Sequence, residues 1–269
     1  MDLTEITRFT EVNRQAWDAV ARTRPDGLRT AESFARGVGN FDPSKLPINS
    51  WQGLKVLHLQ CASGEDSLTL ALAGAKVTGI DISGENVAHA RRKASAAGLP
   101  ATFVAADVYQ LPPDLLTGRF DVVFTGGGAL CWLPDISGWA TAVVSCLAAG
   151  GYLLLEEMHP LRGCFEVEGE RLVVADEDYF QRGSPRVRPA GPARLEGAAD
   201  THMPEKVEFR WPVGDIVTAL ARAGMRIELL DEHFSAPAQA DMPTAILDLF
   251  RRLPNDLTLL AKKDRDPAD

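Results

Sequence analysis

Five short stretches of the chain carry side chains able to do chemistry, and each follows an apolar run. The first is "VLHLQCASGED", residues 56–66, in which Gln60-Cys61-Ala62-Ser63-Gly64 stand between a strand pattern and a helix pattern. Backbone N–H groups where a helix begins attract an anion such as a carboxylate. Asp81, followed by Ile82, ends the second apolar run some seventeen positions after Gly64. An acid there is suited to accept hydrogen bonds from two ribose hydroxyls. Asp107, followed by Val108, ends the third run and can accept from an adenine amino group. Thr125-Gly126-Gly127-Gly128 and Glu156-Glu157-Met158-His159 end the fourth and fifth. No Lys follows the loop glycine, so the pattern that cradles a triphosphate is absent. Gln60 and Ala62 occupy positions where a dinucleotide fingerprint needs glycines. A ligand with adenosine and a carboxylate, but no phosphate, fits this inventory.

His159 stands where it could remove a proton from an acceptor, and Glu157 could do the same or orient it. His58, inside a strand, reads as structural, and His89, beside Arg91 and Arg92, as solvated. His202 and His233 are expected near the acceptor, together with Trp132 and Trp211. Trp17 and Trp132 are large enough for plain packing, yet an aromatic face beside a cation is also favourable. A three-histidine metal site has no helical or turn spacing behind it, so no metal is expected.

These residues need a scaffold. Ile6, Phe9, Trp17 and Val20 recur at near-helical spacing over 4–22, which predicts an amphipathic N-terminal helix, followed by the linker "FDPSKLPINSWQG". From residue 55 short apolar strands alternate with helices: "KVLHLQ", "KVTGIDI", "ATFVAAD", "FDVVFTGG" and "GGYLLLEEM" are the strands. Ser83 caps one intervening helix and Gly98 closes it. Near-continuously apolar strands alternating with helices specify an α/β fold whose sheet is covered on both faces, and the crossover rule makes it doubly wound. Seven strands are expected, mostly parallel, with "MRIELLDEH" and "DLTLLAKK" as the last two. Residues 161–211 interrupt the rhythm. There "KVEFRW" alternates Val207, Phe209 and Trp211 against Lys206, Glu208 and Arg210, an antiparallel strand pattern. The loop with Arg182, Arg186, Arg188 and Arg194 reads as a solvated lid or a surface for an acidic acceptor. The boundaries are therefore a helical cap and linker (1–50), a ligand-binding core (51–160), an inserted cover (161–211) and completion of the sheet (212–269).

A chain of 269 residues with a net charge of −9 gives no electrostatic reason to expect nucleic acid, and no apolar run is long enough to cross a bilayer. Its N-terminus has no apolar leader segment, and its four cysteines include no C-x-x-C pair. Reduced thiols and a cytoplasmic location are expected.

In order along the chain, "VLHLQCASGE", "VTGIDIS", "FVAADVYQLP", "FDVVFTGGGALCWLPD" and "LAAGGYLLLEE" resemble the motifs of class I S-adenosylmethionine-dependent methyltransferases, over roughly residues 50–160. The HLQC loop, the Asn13-x-x-x-Trp17 pair and "FTGGGALCWLPD" are similar to a bacterial subgroup acting on small molecules. The family loop usually reads acid-x-Gly-x-Gly-x-Gly, whereas this chain has His58, Gln60, Ala62 and Gly64. A positive φ at 60 or 62 would be costly. The resemblance implies that the loop binds S-adenosylmethionine through Gln60, Cys61, Ala62, Ser63 and Gly64. It implies further cofactor contacts from Asp81, Ile82, Asp107, Val108, Thr125, Gly126 and Trp17. Methyl transfer to an O, N or S nucleophile of a small molecule, a secondary metabolite, follows. Strand four lacks the Asn/Asp-Pro-Pro-Tyr/Phe of amino-methylating nucleic-acid enzymes. The expected assembly is a monomer or homodimer. A nicotinamide-dependent oxidoreductase and a non-catalytic adenosine-binding scaffold are the other classes considered.

Overall fold

A computed structural model describes residues 1–24, 31, 48–169, 171–175, 178–188, 203–235 and 244–264. The chain opens with α1 (Leu3–Thr23), started by a capping box in which Asp2 accepts from the Glu5 N–H and Glu5 returns to the Asp2 N–H. The core then runs β1 (Lys55–Leu59), α2 (Glu65–Leu72), β2 (Lys76–Asp81), α3 (Gly84–Ala97) and β3 (Ala101–Ala105). It continues with β4 (Phe120–Gly126), α4 (Ile136–Cys146) and β5 (Leu147–Met158). As the sequence indicates, Ser83 caps α3, accepting from the Asn86 N–H, and Gly98 closes it at a φ of 64°.

Two short antiparallel pairs follow: β6 (Phe165–Glu168) with β7 (Arg171–Val174), and β8 (Arg186–Arg188) with β9 (Lys206–Glu208). The last elements are α5 (Val213–Arg222), β10 (Met225–His233), α6 (Thr244–Phe250) and β11 (Asp256–Lys263). The helix α6 is not anticipated by the sequence pattern.

The main sheet has seven strands in the order β10-β11-β5-β4-β1-β2-β3. β1 to β5 pair in parallel, and β11 runs antiparallel to both of its neighbours. Central strands are buried on both faces, which explains their unbroken apolar runs. Leu57, Val123 and Leu153 face a cluster with Trp139 and Val143 of α4 and Leu220 of α5, whereas Val56, Val122 and Leu154 face Leu70 of α2. The chain goes outward from β1 through β2 to β3 and returns to β4 on the other side of β1. The carboxyl ends of β1 and β4 therefore flank the point where strand order reverses.

α1 lies over this point, held there by Asn13. The Asn13 Nδ2 donates to the Val207 carbonyl at 2.8 Å and to that of Trp132 at 3.2 Å, and its Oδ1 accepts from the Val207 N–H at 2.8 Å. Asp18 adds a second tie, accepting from the Ser83 hydroxyl at 2.6 Å. β9 packs on α1 with Val207 buried, and Phe209, just after the strand, is buried edge to face against Phe9 with centroids 5.4 Å apart. His89 corrects an expectation: it is buried, with Nε2 3.1 Å from the Ala21 carbonyl at the end of α1. Among the described residues no helix is long and apolar enough to cross a membrane.

Candidate functional site

A cavity of about 260 Å³ opens between the β1 and β4 strand ends, under α1. Its first wall is the loop after β1. Gln60 and Ala62 adopt φ of 52° and 46°, so both occupy the left-handed region that favours glycine. The loop is tightened by bonds from the Cys61 N–H to the Ile80 carbonyl (2.8 Å) and from the Gly64 N–H to the Cys61 carbonyl (3.0 Å). Gly64 has no substitute: its φ is 85°, and a Cβ there would lie 2.7 Å from the Ala90 Cβ. Gln60, Cys61 and Ala62 line the cavity, whereas Ser63, Gly64 and Thr125 shape it from behind. Ser63 Oγ donates to Glu65, and Thr125 Oγ1 to Gln60 Oε1 at 3.4 Å.

Asp81 couples this loop to β2. One carboxylate oxygen accepts from the Ala62 N–H at 2.8 Å, and the other from the Ser83 N–H at 2.9 Å and Asn86 Nδ2 at 3.4 Å. Burial raises its pKa, and those three bonds oppose the rise. Ile82, Asp107 and Val108 continue the wall, with Asp107 held by the Tyr109 N–H at 3.0 Å. His58, buried under the loop, is held by Ser67 Oγ 2.8 Å from its Nδ1, and burial lowers its pKa to about 3. The ring is therefore neutral.

The opposite wall is Gly126-Gly127-Gly128, and the roof is aromatic. Trp17 and Trp132 both line the cavity, edge to face with centroids 5.0 Å apart. Lys206 of β9 sits with Nζ 4.5 Å from the Trp17 centroid and 5.6 Å from that of Trp132. Burial lowers the pKa of this lysine.

Several expected residues are not brought to the cavity. Glu157 is buried beside it, and its carboxylate accepts from the Leu130 and Met158 N–H groups at 2.8 Å each, while the backbone of Ala129 and Gly128 also favours its ionised form. Burial nevertheless raises it to about 7. Its role here is to hold the turn after β4. His159 is likewise committed: its Nε2 is 2.7 Å from Glu232, and its Nδ1 accepts from the Leu161 N–H at 3.1 Å. The second bond assigns the ring proton to Nε2. Trp211 donates to the Leu133 carbonyl at 2.9 Å and faces a separate groove with Arg182 and Asp215. His233 lies at the end of β10, beside Asp231. His202 and Arg194 lie outside the described residues.

Conversely, Asp66, Asn13, Arg24 and Asn86 line the cavity without having been singled out as site residues. For Asp66 a signal existed: it sits in the first turn of α2, directly after the loop. Arg24 and Asn13 required knowing that α1 folds back over the sheet.

Residues 56–151 match a family model described as a methyltransferase domain. A ubiquinone biosynthesis O-methyltransferase from Paramagnetospirillum magneticum is 29% identical over 154 residues, 56% of this chain and 60% of that protein. The match thus spans less than two thirds of that relative's length. An S-adenosylmethionine-dependent methyltransferase structure from Mesorhizobium loti superposes with a TM-score of 0.60 at 24% identity, covering 80% of this chain and 93% of the other. One from Methanosarcina mazei gives 0.56 at 18% identity, covering 80% and 94%. Residues 56–151 thus match a methyltransferase-domain family, and the fold is the one shared by S-adenosylmethionine-dependent methyltransferases of known structure.

Proposed function

We propose that this protein transfers a methyl group from S-adenosylmethionine to an oxygen, nitrogen or sulfur nucleophile of a small molecule. The observation that carries the reading is the cavity at the strand-order reversal. It combines Asp81 and Asp107 with a loop that has neither a phosphate-binding lysine nor the dinucleotide glycines. A buried polar atom also fits such a ligand: Gln60 Nε2 is buried with no partner among the described residues, as a ligand-binding donor would be in the free protein.

When bound, S-adenosylmethionine supplies a methyl group on a positively charged sulfur as the electrophile. Asp81 would accept from the ribose hydroxyls and Asp107 from the adenine amino group. Trp17 and Trp132 offer aromatic faces that favour a nearby cation. The α1–β9 cover, fastened by Asn13, excludes water and aligns the acceptor. With Glu157 and His159 bonded elsewhere, this reading assigns neither as the base. Alignment carries the rate, and the acceptor must ionise readily or lose its proton late. Residues 161–211 and α1 are the proposed acceptor cover, and a secondary metabolite the proposed acceptor class.

Calorimetry with S-adenosylhomocysteine, S-adenosylmethionine and NAD tests the reading. Tight NAD binding without S-adenosylhomocysteine binding overturns it. Asp81→Ala should weaken S-adenosylhomocysteine about a hundredfold or more, the loss of charge-assisted bonds in a buried site. The four free cysteines support a reducing compartment, the cytoplasm. Sedimentation should find a monomer or homodimer.

A further inference from the structure

Positive charge gathers at the roof of the cavity, in a chain whose net charge is −9. Lys206 of β9 holds its ammonium over the rings of Trp17 and Trp132, 4.5 Å and 5.6 Å from their centroids, and both rings line the cavity. The lysine is half-buried and makes no hydrogen bond or ion pair among the described residues. Glu208, two positions along the strand, has Arg186 across from it in the β8–β9 register, where opposite charges attract. The position across from Lys206 is Arg188, another cation type. Burial lowers the pKa of Lys206, Glu208 pulls it back up, and Arg24, on the cavity lining, lowers it again. An ammonium withdrawn from water in this company is unfavourable, and two aromatic faces offset that only in part. An anion arriving beside the two rings supplies the missing partner.

We propose that Lys206 is a specificity residue for the methyl acceptor, its ammonium binding a carboxylate that the acceptor carries and so selecting acids over neutral molecules. The inference rests on the reading that the cavity takes S-adenosylmethionine, and it narrows the acceptor class to small carboxylic acids. Lys206 stays protonated in this role and acts by orientation, not as a base. Its place fits an acceptor contact: it stands on the inserted cover, whereas Gln60, Asp81 and Asp107 stand at the strand ends of the sheet. The opposing view makes the lysine a fastening between β9 and α1, its stem and charge packed on Trp17, with no ligand role.

The test is calorimetry on protein saturated with S-adenosylhomocysteine, using three acid–amide pairs. These are benzoate with benzamide, 4-hydroxyphenylacetate with its amide, and octanoate with octanamide. At least one acid should bind wild type about tenfold more tightly than its amide, the gain from a charge-assisted contact in a half-buried place. Lys206→Gln should bring that acid to the affinity of its amide and leave the amide unchanged, while Lys206→Arg should keep the preference. Circular dichroism establishes that each variant is folded. Without any variant, added salt should weaken the acid and spare the amide. No acid preferred by wild type, a preference that survives Lys206→Gln, or one indifferent to salt overturns the proposal and leaves the cofactor reading intact. Affinity for S-adenosylhomocysteine should be equal in all three proteins. Its loss in Lys206→Gln would give the ammonium to the cofactor's own carboxylate and overturn the proposal as well. A wild type that does not bind S-adenosylhomocysteine overturns the cofactor reading itself.

Discussion

The ends of β1 and β5 make an instructive pair. Both present acids, amides or imidazoles at the carboxyl edge of the sheet, and by residue type the β5 end looks the more catalytic. Their bonds differ. At β5, Glu157 spends its oxygens on backbone N–H groups and His159 spends both ring nitrogens on Glu232 and Leu161. At β1, among the described residues, Gln60 Nε2 has no partner and Asp66 has no hydrogen bond or ion pair, and two non-glycine residues are held at positive φ. Strain and unmet bonding capacity coincide at the β1 loop, while the polar groups at the β5 end are saturated; Asp81, bonded three times yet lining the cavity, shows that saturation alone does not exclude a ligand role. Residue type alone does not separate these cases.

The largest effect that could break this contrast is at Glu157. Glu157→Ala removes the acceptor for several buried N–H groups of the turn after β4. Stability should fall by about 2–4 kcal/mol, the cost of leaving buried N–H groups without an acceptor, partly offset above pH 7, where burial makes the ionised carboxylate unfavourable. Denaturant unfolding measures this. A variant with unchanged stability but a collapsed turnover would instead make Glu157 a base and erase the distinction between the two strand ends.

Asp66 should behave oppositely. Burial first, then Glu65 and Glu156, raise its pKa from 3.8 to about 6. Because the folded value lies above the unfolded one, the ionised carboxylate costs stability above pH 6 and the cost disappears as pH falls towards 4. Asp66→Asn should therefore stabilise the unliganded protein at pH 7.5 by about 1–3 kcal/mol, a gain reduced to about a third at pH 4.5 and lost below the unfolded value of 3.8. Wild-type affinity for S-adenosylhomocysteine should fall more steeply below pH 6 than that of Asp66→Asn, in which Asp81 and Glu157, also raised by burial, still titrate. Other acids and bases face this region: His58 titrates near 3, below this window, and Glu65 is held ionised by Lys93. A pH-independent wild-type affinity between pH 7.5 and 5 would sharpen the contrast against Asp66, removing it from the residues that meet the ligand.

The frame of this site is legible in the sequence because it rests on local signals. Apolar strand runs, the Ser83 cap, the Gly98 stop, the acid that ends β2 and the acid just after β3 are each encoded within a few residues. What is not local is not legible. His89 looks solvated beside Arg91 and Arg92, and is buried only because α1 folds back onto α3 from 68 positions away. His159 reads as a base until Glu232, 73 positions later, occupies its Nε2. Asp66 is hidden for the opposite reason: nothing in the described structure claims it, and an acid in a helix's first turn is unremarkable as sequence. The last helix, α6, is too short to build a convincing period.

The smallest effect tests the strain itself. Ala62 holds a φ of 46°, a conformation in which a Cβ costs roughly 1–2 kcal/mol and glycine pays nothing. Glycine also gains entropy in the unfolded chain, which returns about 0.4–1 kcal/mol of that benefit. Ala62→Gly should therefore stabilise the fold by at most about 1 kcal/mol, seen as a small rise in Tm. Its N–H still donates to Asp81, so S-adenosylhomocysteine affinity should change little or fall slightly as the free loop gains conformers. A clear destabilisation would show that the Ala62 methyl group packs rather than strains. The loop after β1 would then owe its shape to contacts, and its likeness to the saturated end of β5 would be closer than its dihedral angles imply.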